Sequence, residues 1–429
     1  MEIRPFAGWR YSTGADRDVS AFLAPPYDVL SAEDKQGLLA RCETNIVAVD
    51  LPHVPPADAG PRETYESAAD LWRQWQGSGL LAREEQDAIY ACEQTFSWGG
   101  RSFTRLSMIC GVRATEPGRD VIPHEHTFAG PKADRLRLTE CMRAQLSSIF
   151  GFYDDPSGIV AELLGSRTKE RPDAYGQLDD VTEKLWAITD REVIGAVAAA
   201  LRDQPAFIAD GHHRYATGVA YRDALLAERG IDDDHPANYV MFALVAKDDP
   251  GLLVLPTHRI VRNLKKGFTV GKLASAADEF LWQRCSVDDS GLCDSGGLLG
   301  RYGPNAMAFL DADPAEIWIA SLRDESAMTT AAPDEPPVWR QLSVAILHKL
   351  IIDKALNPWR TAELSIDYTS DSRQVRAACE SGRAQLRVCM QATPLEAVET
   401  LARAGASMPH KSTYFYPKLA TGMVVKPLA

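Results

Sequence analysis

The sequence predicts an α/β (α+β) protein, and two patterns carry this prediction. From Leu185 to Leu225 a strand, a helix, a second strand and a second helix follow one another within about 40 residues, which is typical of an α/β layer. Tyr239–Ala246 is a strongly apolar run of strand length. With 429 residues, the chain is too long for one simple core, so two or three domains are expected.

Residues 1–112 are predicted to form an N-terminal α/β region. The spacing of Ser31 and Asp34 predicts a capping box at the start of a helix. Gly99-Gly100 between two apolar runs predicts a β-hairpin. Before the helix, two prolines hold Tyr27 and Asp28 in an extended segment. These two side chains are candidates for substrate binding, although a rigid entry to the helix would explain the same pattern.

A polar stretch opens the predicted core region, residues 113–262. Its candidate general base is Glu125, and Lys132 and Arg135 are candidates for holding an anion. A solvated loop that leads into a helix, with local ion pairs, would have the same composition. His124 and the histidine two residues later have strand spacing, but no second ligand cluster accompanies them, so the metal ligands stay unknown.

The turn after Ala209 is the second candidate site of the core region. A buried strand ends there, and Asp210-Gly211 separates it from a helical pattern that reaches Leu225. A strand that turns into a helix directs free N–H groups and the positive helix dipole at one point. Phosphate or carboxylate fits that point, and the turn adds two imidazoles and a guanidinium from His212, His213 and Arg214. The alternative is that Asp210 only caps the helix.

Two further segments supply candidates. His258 and Arg259 follow an apolar strand and are either substrate contacts or polar edging of a strand end. Residues 263–429 are predicted to form a C-terminal α+β region that ends in an aromatic-rich tail. Because disordered tails contain few aromatics, this tail is expected to pack back on the core, where Lys411 or Lys418 would reach the anion site. Thr189 and Glu192 predict a further capping box.

Composition and the motifs that the sequence lacks argue against several classes of function. The net charge of −13 opposes nucleic-acid binding, and no run approaches the roughly 20 apolar residues of a membrane span. The start of the chain lacks a secretory pattern, and the eight cysteines contain no C-x-x-C, so free thiols in the cytoplasm are expected. Walker, dinucleotide-binding and G-x-S-x-G motifs are absent.

Six segments, in this order, resemble those of a large prokaryotic family, the domain-of-unknown-function family number one thousand and fifteen. The segments are Arg4-Pro5-Phe6, Ala24–Val29, Pro123–Thr127, Pro131–Arg135, Ala209–Tyr215 and Met408–Lys418. The second, shorter resemblance is to free serine kinases, whose core is similar to the ParB and sulfiredoxin fold. It is carried by the Pro-His-Glu element and the Asp-Gly-His-His-Arg turn.

The resemblance to free serine kinases implies a ParB/sulfiredoxin-like mixed core with additional terminal regions. It implies that Glu125 activates the serine hydroxyl, and that the turn from Asp210 to Arg214 cradles phosphate and metal, with His124 beside the base. The implied reaction converts L-serine to O-phospho-L-serine with Mg²⁺ and with ATP, ADP or pyrophosphate as donor. A ParB-like nucleotide-binding switch and a phosphohydrolase are the alternatives. The expected partner is a small molecule, and a homo-oligomer stays open.

Overall fold

The computed structural model describes residues 1–285, 298–311, 317–371, 374–375, 377–378 and 384–429. They form two compact units: the first contains Met1–Leu253 and Pro417–Ala429, and the second contains Val254–Tyr416. The six cysteines in the described residues are free, while Cys293 and Cys379 lie outside them. No helix in the described part of the chain has both the length and the apolar character that crossing a membrane requires.

The first unit contains both helices and strands. Its strands before residue 253 are β1 (Ile3–Arg4), β2 (Trp9–Tyr11), β3 (Leu81–Arg83), β4 (Ile89–Trp98), β5 (Arg101–Arg113), β6 (Val121–Ile122), β7 (Ala144–Gln145), β8 (Ile149–Tyr153), β9 (Ala174–Leu178), β10 (Val181–Ile188), β11 (Ala206–Asp210) and β12 (Tyr239–Ala246). Its helices are α1 (Ala32–Arg41), α2 (Val47–Asp50), α3 (Arg62–Gly77), α4 (Ala129–Met142), α5 (Ile159–Arg167), α6 (Arg191–Leu201) and α7 (His212–Arg229). The mixed α/β class predicted from the sequence is confirmed.

A nine-stranded mixed sheet organises the first unit, in the order β6-β11-β8-β12-β5-β4-β10-β9, with β1 also pairing with β5. The hairpin predicted at Gly99-Gly100 is confirmed, because Trp98 pairs with Arg101 across the turn from β4 to β5. A domain boundary at residue 112 is not observed. Strand β5 spans that position and pairs with β4 on one side and with β12 on the other.

The sheet has an apolar core on each face because successive strand residues point to opposite sides. Tyr90 on β4 belongs to the core that contains Trp72 of α3, whereas its neighbour Ile89 belongs to the core that contains Leu164 of α5 and Leu201 of α6. Helices therefore cover both faces, and the polar ends of strands and helices are left to form a site.

Local capping signals define two of the helix starts. At α1, Ser31 Oγ accepts a hydrogen bond from the Asp34 N–H at 3.1 Å, and the Asp34 carboxylate accepts one from the Ser31 N–H at 2.8 Å, so this capping box is confirmed. The capping box predicted at Thr189 is wrong, because the N-cap of the helix lies one residue later and no reciprocal Glu or Gln follows it at the third position. Asp190 is the N-cap of α6, and its carboxylate accepts a 2.8 Å hydrogen bond from the Glu192 N–H.

The second unit is also mixed. Its strands are β14 (His258–Arg262), β15 (Phe280–Cys285), β16 (Met307–Leu310), β17 (Ile317–Leu322), β18 (Ser365–Thr369) and β19 (Leu386–Cys389), preceded by β13 (Leu253–Leu255) and followed by β20 (Tyr414–Tyr416). Its helices are α8 (Val270–Ala276), α9 (Ser326–Ala331), α10 (Pro337–Arg340), α11 (Ser343–Ile346) and α12 (Leu395–Arg403). A six-stranded sheet in the order β15-β17-β16-β19-β14-β18 packs against the π-helical segment Leu347–Ala355.

The remaining predicted boundary also moves. The sequence predicted that the core region ends at residue 262, but the chain passes into the second unit after Leu253. The reason is that β14 pairs with β18 and β19 of the second sheet. The end of the chain, Pro417–Ala429, returns to the first unit, where β21 (Lys426–Pro427) pairs with β7.

Candidate functional site

The turn between β11 and α7 has the geometry of an anion-binding helix start. Strand β11 ends at Asp210, and Gly211 is the N-cap of the 18-residue helix α7 in a left-handed conformation with φ of 95°. Gly211, as the N-cap, has no side chain to cap this helix end, and the first-turn N–H groups have no intrahelical acceptor. A Cβ on Gly211 would lie 2.8 Å from Arg214 Nε, which is a second reason for glycine here.

Asp210 is ionised and lies between two cations. Its Oδ1 is 3.4 Å from Lys418 Nζ, and its Oδ2 accepts a 3.1 Å hydrogen bond from the Arg214 guanidinium. Burial opposes ionisation of Asp210, but Lys418 and Arg214 outweigh it and lower its pKa to about 2. Lys418 thus lies beside the turn, as the sequence led us to expect, and its salt bridge to Asp210 lies within the first unit.

Arg214 points inward from the turn. Its second terminal nitrogen donates to the backbone carbonyl of Ser148, just before β8, and its side chain is only 9% exposed. The sequence predicted Arg214 as a phosphate ligand. Its observed contacts fix Asp210 and the start of α7 against β8.

Glu125 and His212 bring the two candidate stretches together. Glu125 Oε2 lies 3.6 Å from His212 Nδ1, and the Glu125 side chain is 31% exposed. His212 Nε2 accepts a hydrogen bond from the backbone N–H of His124 at 3.3 Å. The ring proton of neutral His212 therefore resides on Nδ1 and faces the Glu125 carboxylate. The acidic element and the turn thus form one cluster.

The two imidazoles of this cluster are neutral at pH 7. Burial lowers the pKa of His124 to about 4, and burial together with the nearby His124 lowers the pKa of His212 well below its usual range. Their rings meet edge to face with centroids 4.6 Å apart. His124 is 1% exposed, so it supports His212 from behind and does not face solvent as a catalytic group would.

His213 connects the start of α7 to the start of α4. Its Nε2 accepts a 2.9 Å hydrogen bond from the backbone N–H of Phe128, the residue before α4. The two rings also stack, with centroids 5.9 Å apart. Phe128 is 56% exposed, which makes it an aromatic surface at the edge of the candidate site. No sequence pattern indicated this residue.

Arg135 lies in a closed charge cluster inside the first unit. Its guanidinium contacts the Asp134 carboxylate at 2.6 Å, donates to the backbone carbonyl of Asp50 at 2.6 Å and stands over the Tyr27 ring at 4.0 Å. Tyr65 donates a 2.5 Å hydrogen bond to the other oxygen of Asp134. Arg135 is 5% exposed and Asp134 is fully buried, so the group predicted to hold an anion is already ion-paired, while its Nη2 makes no hydrogen bond of good geometry among the described residues.

Arg135 and Arg214 both line a cavity of about 50 Å³, together with Asp50 and Thr217. Burial raises the pKa of Asp50, although Arg135 counteracts it. Asp28 is exposed and near enough to Arg214 to influence its pKa. Lys132 is half-buried in the first turns of α4.

Three predicted site residues lie in the second unit. His258 and Arg259 are buried on β14, where His258 Nδ1 accepts a 3.1 Å hydrogen bond from the Met390 N–H. Arg259 donates to the carbonyl of Lys411 at 3.1 Å, and burial lowers its pKa to about 10. Both side chains are therefore integrated in the second unit, and Lys411 receives the Arg259 contact through its backbone.

Metal binding has limited support from the protein groups alone. Within the described ranges, no group of three or more histidine, cysteine, aspartate or glutamate side chains could hold a metal ion. Mg²⁺, however, commonly uses one or two carboxylates and takes its other oxygens from substrate phosphates and water. Asp210 and Glu125 supply carboxylates of that kind.

Comparisons with other proteins add a family and a distant likeness. A family model described as "Protein of unknown function (DUF1015)" matches residues 3–345. No curated protein matches the chain.

Three kinds of solved structure are similar over much of the chain. A conserved hypothetical protein from Pyrococcus furiosus has 13% identity and a TM-score of 0.34, covering 72% of this chain and 92% of that one. A free serine kinase in complex with AMP has 12% identity and a TM-score of 0.32, covering 69% and 83%. SbnI with a C-terminal truncation from Staphylococcus aureus has 10% identity and a TM-score of 0.35, covering 74% and 87%. At such identities and TM-scores these likenesses carry no statement about what this chain does.

Proposed function

The chain belongs to the DUF1015 family, as its six motifs predict, and we propose that it is a phosphotransferase acting on the hydroxyl of a small amino acid. The proposed acceptor is free L-serine, and the product is O-phospho-L-serine. ATP, ADP or pyrophosphate is the proposed donor. The motif resemblance of the turn and of the Pro-His-Glu element to those of free serine kinases supports this choice of reaction.

One observation carries the proposal: Glu125 lies 3.6 Å from His212 at the start of α7. A helix start supplies N–H donors and a positive dipole end for phosphate. A carboxylate beside it can take the proton from an attacking hydroxyl. Phosphoryl transfer needs these two groups within reach of one another.

Glu125 is the proposed general base. It accepts the acceptor's hydroxyl proton while the new O–P bond forms and the bond to the donor's leaving group breaks. The neutral His212 N–H faces the carboxylate and fixes its direction. The backbone N–H groups of His212 and His213 at the helix start then hold phosphate oxygens, and Lys418 adds a positive charge beside them. Arg214 keeps Asp210 and the helix start in place.

Asp210 is the proposed protein ligand of Mg²⁺. Its pKa of about 2 keeps it ionised at neutral pH, as a metal ligand must be. The ion would share its remaining positions between phosphate oxygens and water, and it would neutralise charge that develops during transfer.

The direct test combines purified protein, L-serine and Mg²⁺ with ATP, ADP or pyrophosphate in separate reactions, followed by mass detection of phosphoserine. We expect phosphoserine with at least one donor, and D-serine is the control acceptor. Tight nucleotide binding without product from any donor would replace the proposal with a nucleotide-binding switch. If no donor yields phosphoserine but the protein releases phosphate from added phosphoserine, a phosphohydrolase would replace the proposal.

A further inference from the structure

A row of buried polar side chains crosses the main sheet away from the helix start. Arg105 on β5, Gln94 on β4 and Glu183 on β10 are directly opposite one another in adjacent strands. Arg105 and Gln94 are fully buried, and Glu183 is 2% exposed. Burying such groups is costly unless each is hydrogen-bonded or paired, so each member of the row needs a partner.

The row is internally connected. Arg105 Nε donates to Gln94 Oε1 at 3.0 Å, and Gln94 Nε2 donates to Glu183 Oε1 at 2.7 Å. Glu183 thereby orients the amide of Gln94, and the amide oxygen orients the guanidinium. Because each donor has a defined acceptor, the arrangement has one orientation.

The row also reaches the point where the chain returns to the first unit. Arg105 donates to the carbonyl of Pro417 at 2.7 Å, and Gln94 Nε2 lies 3.4 Å from the carbonyl of Lys418. Residue 416 belongs to the second unit and residue 417 to the first. The contacts therefore hold the first two residues of the returning segment by their backbone.

Lys418 is the residue that this segment delivers to the turn. Its Nζ lies 3.4 Å from Asp210 Oδ1. Arg105 is linked to the same region through β8, because its guanidinium stands 4.5 Å from the Phe150 ring centroid and Phe150 pairs with Asp210 across β8 and β11. One buried row thus contacts both the lysine's backbone and β8, the strand that pairs with the one carrying Asp210.

We propose that Arg105 and Gln94, braced by Glu183, are positioning residues that hold the Pro417–Lys418 backbone so that the Lys418 ammonium meets Asp210. They act through Lys418 and do not touch the substrate. The catalytic consequence rests on the proposed function, but the placement of Lys418 does not.

The test compares Arg105→Met and Arg105→Lys with a matched control, Arg387→Met, which removes a buried strand arginine of the second unit. The first readout is the rate at which trace acetic anhydride acetylates Lys418, measured by peptide mass spectrometry relative to the exposed Lys354. We expect about a tenfold faster reaction of Lys418 in Arg105→Met, corresponding to about 1.4 kcal/mol. Arg105→Lys should recover part of the protection, and Arg387→Met should leave the rate unchanged.

The second readout is the donor KM and kcat of each variant. A displaced Lys418 should raise the donor KM more than it lowers kcat, and Arg105→Lys should restore part of the KM. An unchanged acetylation rate in both Arg105 variants would overturn the proposal, and Arg105→Lys decides the matter should Arg105→Met fail to fold. If the wild-type protein transfers no phosphate, the proposed function fails while the acetylation result still decides the placement of Lys418.

Discussion

Two clusters of the first unit contain the same kinds of side chain but differ in what those side chains can do. The cluster at the start of α7 joins Asp210 to Arg214 and Lys418. The cluster under α4 joins Asp134 to Arg135 beside a tyrosine ring. Both contain a carboxylate, a guanidinium and a nearby helix, and both occur in motifs that predict function.

The difference lies in exposure and in the start of a long helix beside one of the two carboxylates. Asp134 is fully buried, and its two oxygens are occupied by Arg135 and Tyr65. At α7 the Asp210 side chain is 21% exposed, and the first-turn N–H groups of an 18-residue helix lie beside it. Residue chemistry alone does not separate a structural ion cluster from a binding site. Burial and the presence of a helix start separate the two clusters.

The largest effect on activity is expected from Glu125→Gln. The amide keeps the shape of the carboxylate but cannot take a proton, so phosphoserine formation should fall by about 10²–10⁴-fold. Donor affinity, measured by calorimetry, should stay unchanged. The control is Glu93→Gln, which removes a partly exposed carboxylate of β4 that pairs with Lys184. Unchanged turnover in Glu125→Gln would remove Glu125 as the base.

The largest effect on stability is expected from Arg135→Met. This change leaves Asp134 buried without its cation, and breaking a buried pair from one side costs about 3–5 kcal/mol. Chemical denaturation measures the loss, and Arg62→Met is the control because the Arg62–Glu66 pair is exposed and worth under about 1 kcal/mol. Equal losses in the two variants would contradict the contrast between a closed and an open cluster.

Local signals predicted the elements better than the partners of each side chain. Alternating apolar patterns and the Gly-Gly turn predicted β4 and β5, and the Asp-Gly sequence predicted the end of β11. The pairing of β5 with β12 joins residues more than a hundred positions apart, so no local pattern marked it. Strand β5 therefore runs through residue 112, where the sequence predicted a boundary.

The candidate site shows the same limit. The sequence placed Glu125 and the 210–214 turn in one function through motif resemblance, and the structure brings them together. The sequence did not predict that Arg135 is enclosed. One of its partners, Asp50, lies in an apolar stretch between Val47 and Leu51 and resembles no site motif. Gln94 and Glu183 were missed likewise, since a polar residue in a strand usually faces solvent.

A pH-dependent effect is expected from Glu183, whose pKa burial raises from 4.5 to about 7. The folded protein binds this proton more tightly than the unfolded chain, so its stabilising contribution is present below pH 4.5 and is lost as pH rises to 7. The difference of about 2.5 pH units corresponds to about 3 kcal/mol. Denaturation of wild type and Glu183→Gln across pH 4.5–8 should therefore show the variant gaining relative stability as pH rises. A constant difference would contradict the raised pKa.

The smallest effect is expected from Gly211→Ala, for which Gly158→Ala is a matched control. Both glycines are left-handed N-caps, of α7 and α5 respectively, with φ of 95° and 67°. Alanine in that conformation costs roughly 1–2 kcal/mol. Only at Gly211 would the new Cβ also meet Arg214, at 2.8 Å, whereas nothing lies within 4 Å of it at Gly158. Both variants should lose stability in thermal unfolding, but only Gly211→Ala should weaken donor binding, because only there does Arg214 have to move. Weakened binding in both would mean that the start of α7 has no special part in holding phosphate.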